Sequence, residues 1–225
     1  MRLAVFAVSA ACLAPASGFA QEAAGWSTEG AIGAVTDYRY RGVSLSERDP
    51  AVQGELTVSA PSGLYAYGWA SSIRYGDDVE LMGALGWSGE ASGLSLDVGG
   101  GVYAYPGLAD SSLWEFYGSA SRQVGVATLT GGAAYYPEQD NLGGEDNLYL
   151  HAGLSAPLGV GDLTGDLTIG WEDGAFGDNK TDWSASVTAP LGPFALRVAY
   201  VGTNVENVYE AEDAALAELR YKFAF

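Results

Sequence analysis

The sequence predicts an all-β protein, an antiparallel up-and-down transmembrane β-barrel of about 12 strands with both termini periplasmic. Three observations predict it. Apolar residues recur with period two rather than 3.6. Runs of about ten alternating residues are separated by turn signals. The connections alternate between short, nearly neutral turns and longer acidic loops.

The chain opens with "MRLAVFAVSAACLAPASGFAQE", where one basic residue precedes an apolar run from Leu3 to about Ala14 and small residues lead to Gln21. That pattern predicts a secretory signal peptide over 1–20, cleaved after Ala20. The apolar run is too short to span a bilayer. Cys12 lies inside it, but Ser9 occupies the position where a lipidation signal needs a large aliphatic residue, so no lipid anchor is expected. Residues 21–225 are expected to form a single barrel domain without cysteine, and hence without disulfides. Cleavage removes Arg2 and takes the formal net charge from -18 to -19. Such an acidic balance argues against nucleic acid as a partner. With 48% hydrophobic residues and 14 tyrosines, the chain is no candidate for disorder.

Twelve runs follow, at approximately 28–41, 51–60, 64–74, 79–88, 93–105, 113–122, 125–136, 147–156, 163–172, 182–190, 194–203 and 214–225. In "VELMGALGW", Val79, Leu81, Leu85 and Trp87 oppose Glu80. In "GDLTGDLTIGWED", Leu163, Leu167, Ile169 and Trp171 oppose Thr164, Asp166, Thr168 and Glu172. In "FALRVAYV", Phe194, Leu196, Val198 and Tyr200 oppose Arg197. The short connections are "PSG", "SGEASG", "QVG", "PLGVG" and "PLGP"; the acidic ones are "SLSERDP", "YGDD", "PGLADSS", "PEQDNLGGED", "EDGAFGDNK" and "TNVENVYEAED". In an up-and-down barrel, alternate connections share one rim, so tight turns gather at one end and loop charge at the other. A β-sandwich has no reason to sort its turns this way, whereas an outer-membrane barrel does. Trp69, Trp87, Trp114, Trp171 and Trp183 fall near predicted strand ends on or near the apolar face, where an interfacial girdle belongs.

The final residues, "LRYKFAF", alternate to the last position, with Leu219, Tyr221, Phe223 and Phe225 on one face and Glu218, Arg220 and Lys222 on the other. A closed barrel pairs its last strand with its first, which explains an ordered, patterned terminus. Tyr221, Phe223 and Phe225 are similar to the terminal aromatic signal by which outer-membrane barrels are recognised for insertion.

The stretch from Thr36 to Ile73 carries "YRYRG" with following serines, "PAVQG" after a short acidic loop, and "SGLYAYGWAS". In these elements the chain resembles the TorF-family porins of proteobacteria, also catalogued as the conserved hypothetical family Gcw_chp. Tyr40 stands where that family has phenylalanine or a similar aromatic, a mild departure. The resemblance implies an outer-membrane barrel with pore function.

Catalytic and metal chemistry find little support. The lone histidine, His151, shares the polar face with Tyr149 and Ser155, and four residues along a strand span roughly 13 Å, too far for a direct Ser–His hydrogen bond. A serine on a neighbouring strand is not excluded by this spacing, but no enzyme is expected. The oxygen-rich runs "EQDNLGGED" and "EDGAFGDNKTD" depart from the calcium-loop pattern. The glycines near 99–101 and 159–161 have no helix after them to cradle phosphate. No metal site and no cofactor are expected. Plain solvated loops are favoured over loop carboxylates bridged by divalent cations to lipopolysaccharide.

The alternation sets an expected pore lining of Arg39, Glu55, Arg74, Glu80, Asp97, Glu115, Asp166, Asp182, Arg197, Glu218, Arg220 and Lys222. Twelve strands should leave a narrow bore. Arg39 and Arg41 are expected close together, either attracting anions or pairing with lumen carboxylates. No connection looks long enough for a folded plug, although "EDGAFGDNKTD" and "TNVENVYEAED" have the length to fold inward partway. The expected function is a narrow passive channel for small hydrophilic solutes or ions in the bacterial outer membrane. The expected partners are outer-membrane lipid and lipopolysaccharide, the barrel-assembly machinery, and small solutes or ions. The alternative is a closed-lumen structural or surface-interaction barrel.

Overall fold

The computed structural model describes residues 25–74, 79–108 and 111–225. The expected signal peptide, with Cys12, and the "YGDD" loop at 75–78 lie outside the described residues.

The strands, in chain order, are β1 (Ser27–Val35), β2 (Arg39–Tyr40), β3 (Val43–Ser44), β4 (Ala51–Ser59), β5 (Leu64–Ser72), β6 (Val79–Ala91), β7 (Leu94–Ala104), β8 (Leu113–Val124), β9 (Ala127–Gln139), β10 (Glu145–Pro157), β11 (Thr164–Gly174), β12 (Gly177–Leu191), β13 (Phe194–Thr203) and β14 (Ala214–Ala224). All except β2 and β3 join into one closed antiparallel barrel, the predicted 12-strand architecture. The seam runs from Glu29 opposite Ala224 to Val35 opposite Glu218. Phe225 extends it, its N–H donating to the Thr28 carbonyl at 2.8 Å. Tight turns after β4, β6, β8, β10 and β12 share one rim. The opposite rim carries the other connections.

Alternation decides what each face meets. On β6, Leu81 and Leu85 are exposed on the outer face at 40% and 71%, while Glu80 and Met82 are buried inside. Ile32, Val52, Phe116 and Ile169 continue the apolar outer wall. Trp114, Trp171 and Trp183 lie on that wall toward the loop rim. Trp87 lies toward the turn rim, its indole N–H donating to the Ser62 carbonyl at 3.0 Å. Near the turn rim Phe194, Tyr221, Phe223 and Phe225 form a row of rings with centroids 5.3, 6.4 and 5.7 Å apart.

Four expectations need correction. The first wall strand ends at Val35, not residue 41, and the chain over 36–50 turns into the bore. A folded plug therefore does exist, built from the first loop. Trp69 is not in the girdle: it shares the inner face of β5 with Tyr65 and Tyr67, and its ring packs 5.6 Å from that of Tyr38 on the plug. The acidic run after β11 is mostly strand, because β11 continues to Gly174 and β12 begins at Gly177. At its tip Phe176 bends inward, edge-on to Tyr136 at 5.1 Å.

Candidate functional site

The plug is held by its own polar side chains. Asp37 accepts a hydrogen bond from the Ser44 hydroxyl at 2.6 Å and pairs with Arg39 Nε at 2.6 Å. The Tyr38 N–H donates to Ser46 Oγ, and the Leu45 N–H returns to the Tyr38 carbonyl. These bonds fold β2 against β3 around a turn in which Arg41 and Gly42 both have positive φ, 47° and 88°. Two successive left-handed residues match the twist of a tight hairpin. Gly42 is needed twice over, since a Cβ there would lie 2.6 Å from Thr203 Cβ and 2.8 Å from the Gly202 carbonyl oxygen. Gly42→Ala is expected to cost about 1–2 kcal/mol from the backbone conformation alone. A lowered urea midpoint of the folded barrel checks it; an unchanged midpoint would mean that the hairpin relaxes away from β13.

Inside the loop-rim half of the bore, Tyr38, Tyr40, Leu45, Tyr103 and Tyr136 are all buried. Burial, before any other cause, pushes the Tyr38 and Tyr40 phenols well above the usual tyrosine range, so they act as neutral hydroxyls. Tyr38 accordingly donates to Glu80 Oε2 at 3.0 Å, and Tyr105 donates to Glu80 Oε1 at 2.8 Å. At the hairpin tip the Arg41 guanidinium crosses to the wall. It pairs with Glu172 on β11 and lies 3.4 Å from Glu115 on β8. Its Cζ stands 3.9 Å from the ring centroid of Tyr149 and 4.3 Å from that of Tyr40. Glu172 also pairs with Lys180 and accepts from Asn147 Nδ2 at 3.0 Å. Asp182 accepts from the Tyr149 hydroxyl at 3.2 Å.

The turn-rim half is more open, and most of its inward side chains are half-buried. Arg220 pairs with Glu55 at 2.6 Å and Glu218 at 3.4 Å, while Arg197 reaches Glu218 at 3.7 Å. Asp97 accepts from the Tyr65 hydroxyl at 3.1 Å, and Asp166 from Ser186 at 3.5 Å. Lys222 is exposed on the same face as Arg220. Small residues make room for the larger rings here: a Cβ on Gly86 would strike the Tyr65 ring, and one on Gly99 the Tyr117 ring. His151 stacks on Tyr149 at 5.8 Å, and among the described residues no hydrogen bond joins it to a serine.

The predicted residues thus fall into two levels. Glu80, Glu115 and Asp182 come together around the plug, and Glu55, Arg197, Glu218 and Arg220 form a separate group below it. Asp97 and Asp166 belong to neither. Two placements change. Arg39 sits on the plug rather than the wall, donating to the carbonyls of Gly42 and Glu212. Arg74 lies beyond the end of β5 at the rim, exposed and paired with Asp49 at 3.1 Å. The alternation had already put Glu172 on the polar face of its run. Lys180 escaped notice because it sits in a stretch of Gly, Asp and Asn that reads as loop.

A closed barrel with an apolar exterior and a charged, tyrosine-lined interior is the architecture of the porin-like outer-membrane β-barrels. Solved structures share it. The KdgM porin superposes with TM-score 0.60 over 88% of this chain and 99% of its own, at 6% identity. The NanC porin does so with TM-score 0.56 over 88% and 98%, at 10% identity. A KdgM porin in complex with disordered oligogalacturonate gives 0.55 over 88% and 98%, at 8% identity. At these identities the likeness concerns the fold. No curated protein matches the sequence. Residues 19–223 match the family model described as "Bacterial protein of unknown function (Gcw_chp)", and the chain belongs to that family.

Proposed function

We propose that this protein is an outer-membrane channel, a narrow passive pore for small hydrophilic solutes or ions, and not an enzyme. The observation that carries the reading is the inversion of polarity across the wall. Leucines, valines and aromatic rings stand exposed outside, while ionised and hydroxyl groups gather inside. An exposed apolar surface of this kind calls for lipid as its solvent. The fold likeness to porins, one of them in complex with an oligosaccharide acid, and the resemblance of 36–73 to TorF-family porins support the same reading. In this reading the turn rim and both chain ends are periplasmic and the acidic rim faces outward toward lipopolysaccharide. Tyr221, Phe223 and Phe225 would present the insertion signal to the barrel-assembly machinery. Glu55, Asp97, Asp166, Arg197, Glu218, Arg220 and Lys222 line the open half of the path, with Glu80, Glu115 and Asp182 at its constriction. The closed-lumen barrel remains a second reading because Tyr38, Tyr40 and Leu45 of the plug are buried within the bore.

Single-channel recording of the refolded protein in a planar bilayer under a salt gradient tests the proposal. Discrete steps with cation selectivity are expected, because the loop carboxylates concentrate cations at one mouth. That selectivity should fade as salt shortens the Debye length from about 10 Å at 0.1 M to about 3 Å at 1 M. A folded barrel that stays silent would overturn the channel reading in favour of the closed one.

A further inference from the structure

We propose that the wall around Arg41 is a cation-binding subsite of the bore, occupied in this state by the chain's own guanidinium, and that solutes bearing a guanidinium or primary ammonium group take its place. This rests on the channel reading and names the class of solute it favours.

Arg41 behaves as a tethered ligand. Its guanidinium is held by groups belonging to other parts of the chain: Glu115 on β8, Glu172 on β11, and the ring faces of Tyr149 and Tyr136 at 3.9 and 5.8 Å. Carboxylates combined with aromatic faces are the recognition chemistry of a planar organic cation. That wall remains in place if the arginine side chain withdraws, because no wall strand depends on Arg41 for its backbone pairing. Its charge is then unbalanced. Glu115, Glu172 and Asp182 are buried at 2%, 0% and 6% exposure, and Lys180 is the one basic side chain among them in the described residues. Buried carboxylates deprived of a counter-cation are strongly unfavourable. The wall therefore attracts another cation. His151, half-buried and stacked below Tyr149, leads from this cage toward the open half of the bore, so a solute arriving there meets the cage next. Arg41 reaches the cage from the tip of the plug hairpin and not from a wall strand, so its side chain can leave without breaking a ladder of the barrel.

The test is calorimetric titration of the folded full-length mature barrel in detergent micelles with methylguanidinium chloride at constant ionic strength. Methylurea serves as the neutral isostere. Arg41→Ala is expected to bind methylguanidinium at least ~10-fold more tightly than the unaltered protein does and at least ~10-fold more tightly than methylurea. Adding Glu115→Gln to Arg41→Ala should weaken that binding again. Arg41→Gln, which keeps most of the side-chain volume, is titrated in the same way should the alanine variant fail to refold. Binding that is equal in the unaltered and Arg41 variants, or equal for methylguanidinium and methylurea, overturns the proposal. Calorimetry needs no current, so a barrel that binds the cation yet conducts nothing would refute the channel and leave the subsite standing.

Discussion

Glu172→Gln is expected to destabilise the barrel by about 3–5 kcal/mol, the cost of removing one partner from a buried ion pair. Glu172 is fully buried and holds two cations at once, Arg41 from the plug and Lys180 from β12. The amide leaves both with less than they were built around. Glu115 still stands 3.4 Å from Arg41, but Lys180 has no second ion pair among the described residues. Glu55→Gln is the matched control. That carboxylate pairs with Arg220 at 2.6 Å in the open half of the bore, and its side chain is 26% exposed. Pairs in contact with water contribute about 0–1 kcal/mol. Equilibrium urea unfolding of both variants, followed by tryptophan fluorescence in micelles, makes the comparison. Similar shifts for the two would mean that Glu172 is far better hydrated than its burial implies.

Replacing residues 36–50 with Asn-Gly should raise single-channel conductance several-fold while leaving the barrel closed. Val35 and Ala51 face each other in the register of β1 and β4, so a two-residue type I′ turn can join the strands directly. No wall strand loses a residue. What leaves the bore is the cluster of Tyr38, Tyr40 and Leu45 together with Arg39 and Arg41. Glu80, Glu115 and Glu172 then meet water in place of their plug partners, and cation selectivity should rise with the conductance. Conductance equal to that of the unaltered protein would show that the constriction lies elsewhere. A silent parent and a conducting variant would identify the plug as a permanent seal.

The wall was legible because each strand faces two different solvents. Leu81 and Leu85 against Glu80, or Ile169 and Trp171 against Glu172, need no tertiary information to be assigned to faces. The plug was hidden by the same rule. "DYRYR" alternates as cleanly as any wall strand, but its tyrosines and arginines are buried on both sides by the surrounding barrel. Gly42, with φ 88°, is the turn residue, and the alternation running up to Arg41 masks it. Trp69 shows a different failure: its residue type argued for the girdle, but it shares the phase of Tyr65 and Tyr67, which face inward. Phase was the better guide. The cage around Arg41 joins β8, β10 and β11 along one arc of the wall to the plug, and such meetings depend on barrel curvature and on which loop turns inward.

The seam between β1 and β14 governs how the fold can be reached. Every other neighbouring pair in the wall lies close in the chain, whereas Glu29 and Ala224 come from opposite ends of it. Contacts of such long sequence separation slow folding, although the entropic cost of closing the loop grows only logarithmically, by about 0.6 kcal/mol per doubling of length. Until that seam zips, the growing sheet carries two unpaired edges that can template on another copy. The nearly local hairpins can form early and independently; commitment belongs to the two strands that are farthest apart. A variant that weakens the seam should therefore fold more slowly and aggregate more readily, even where its finished barrel is almost as stable.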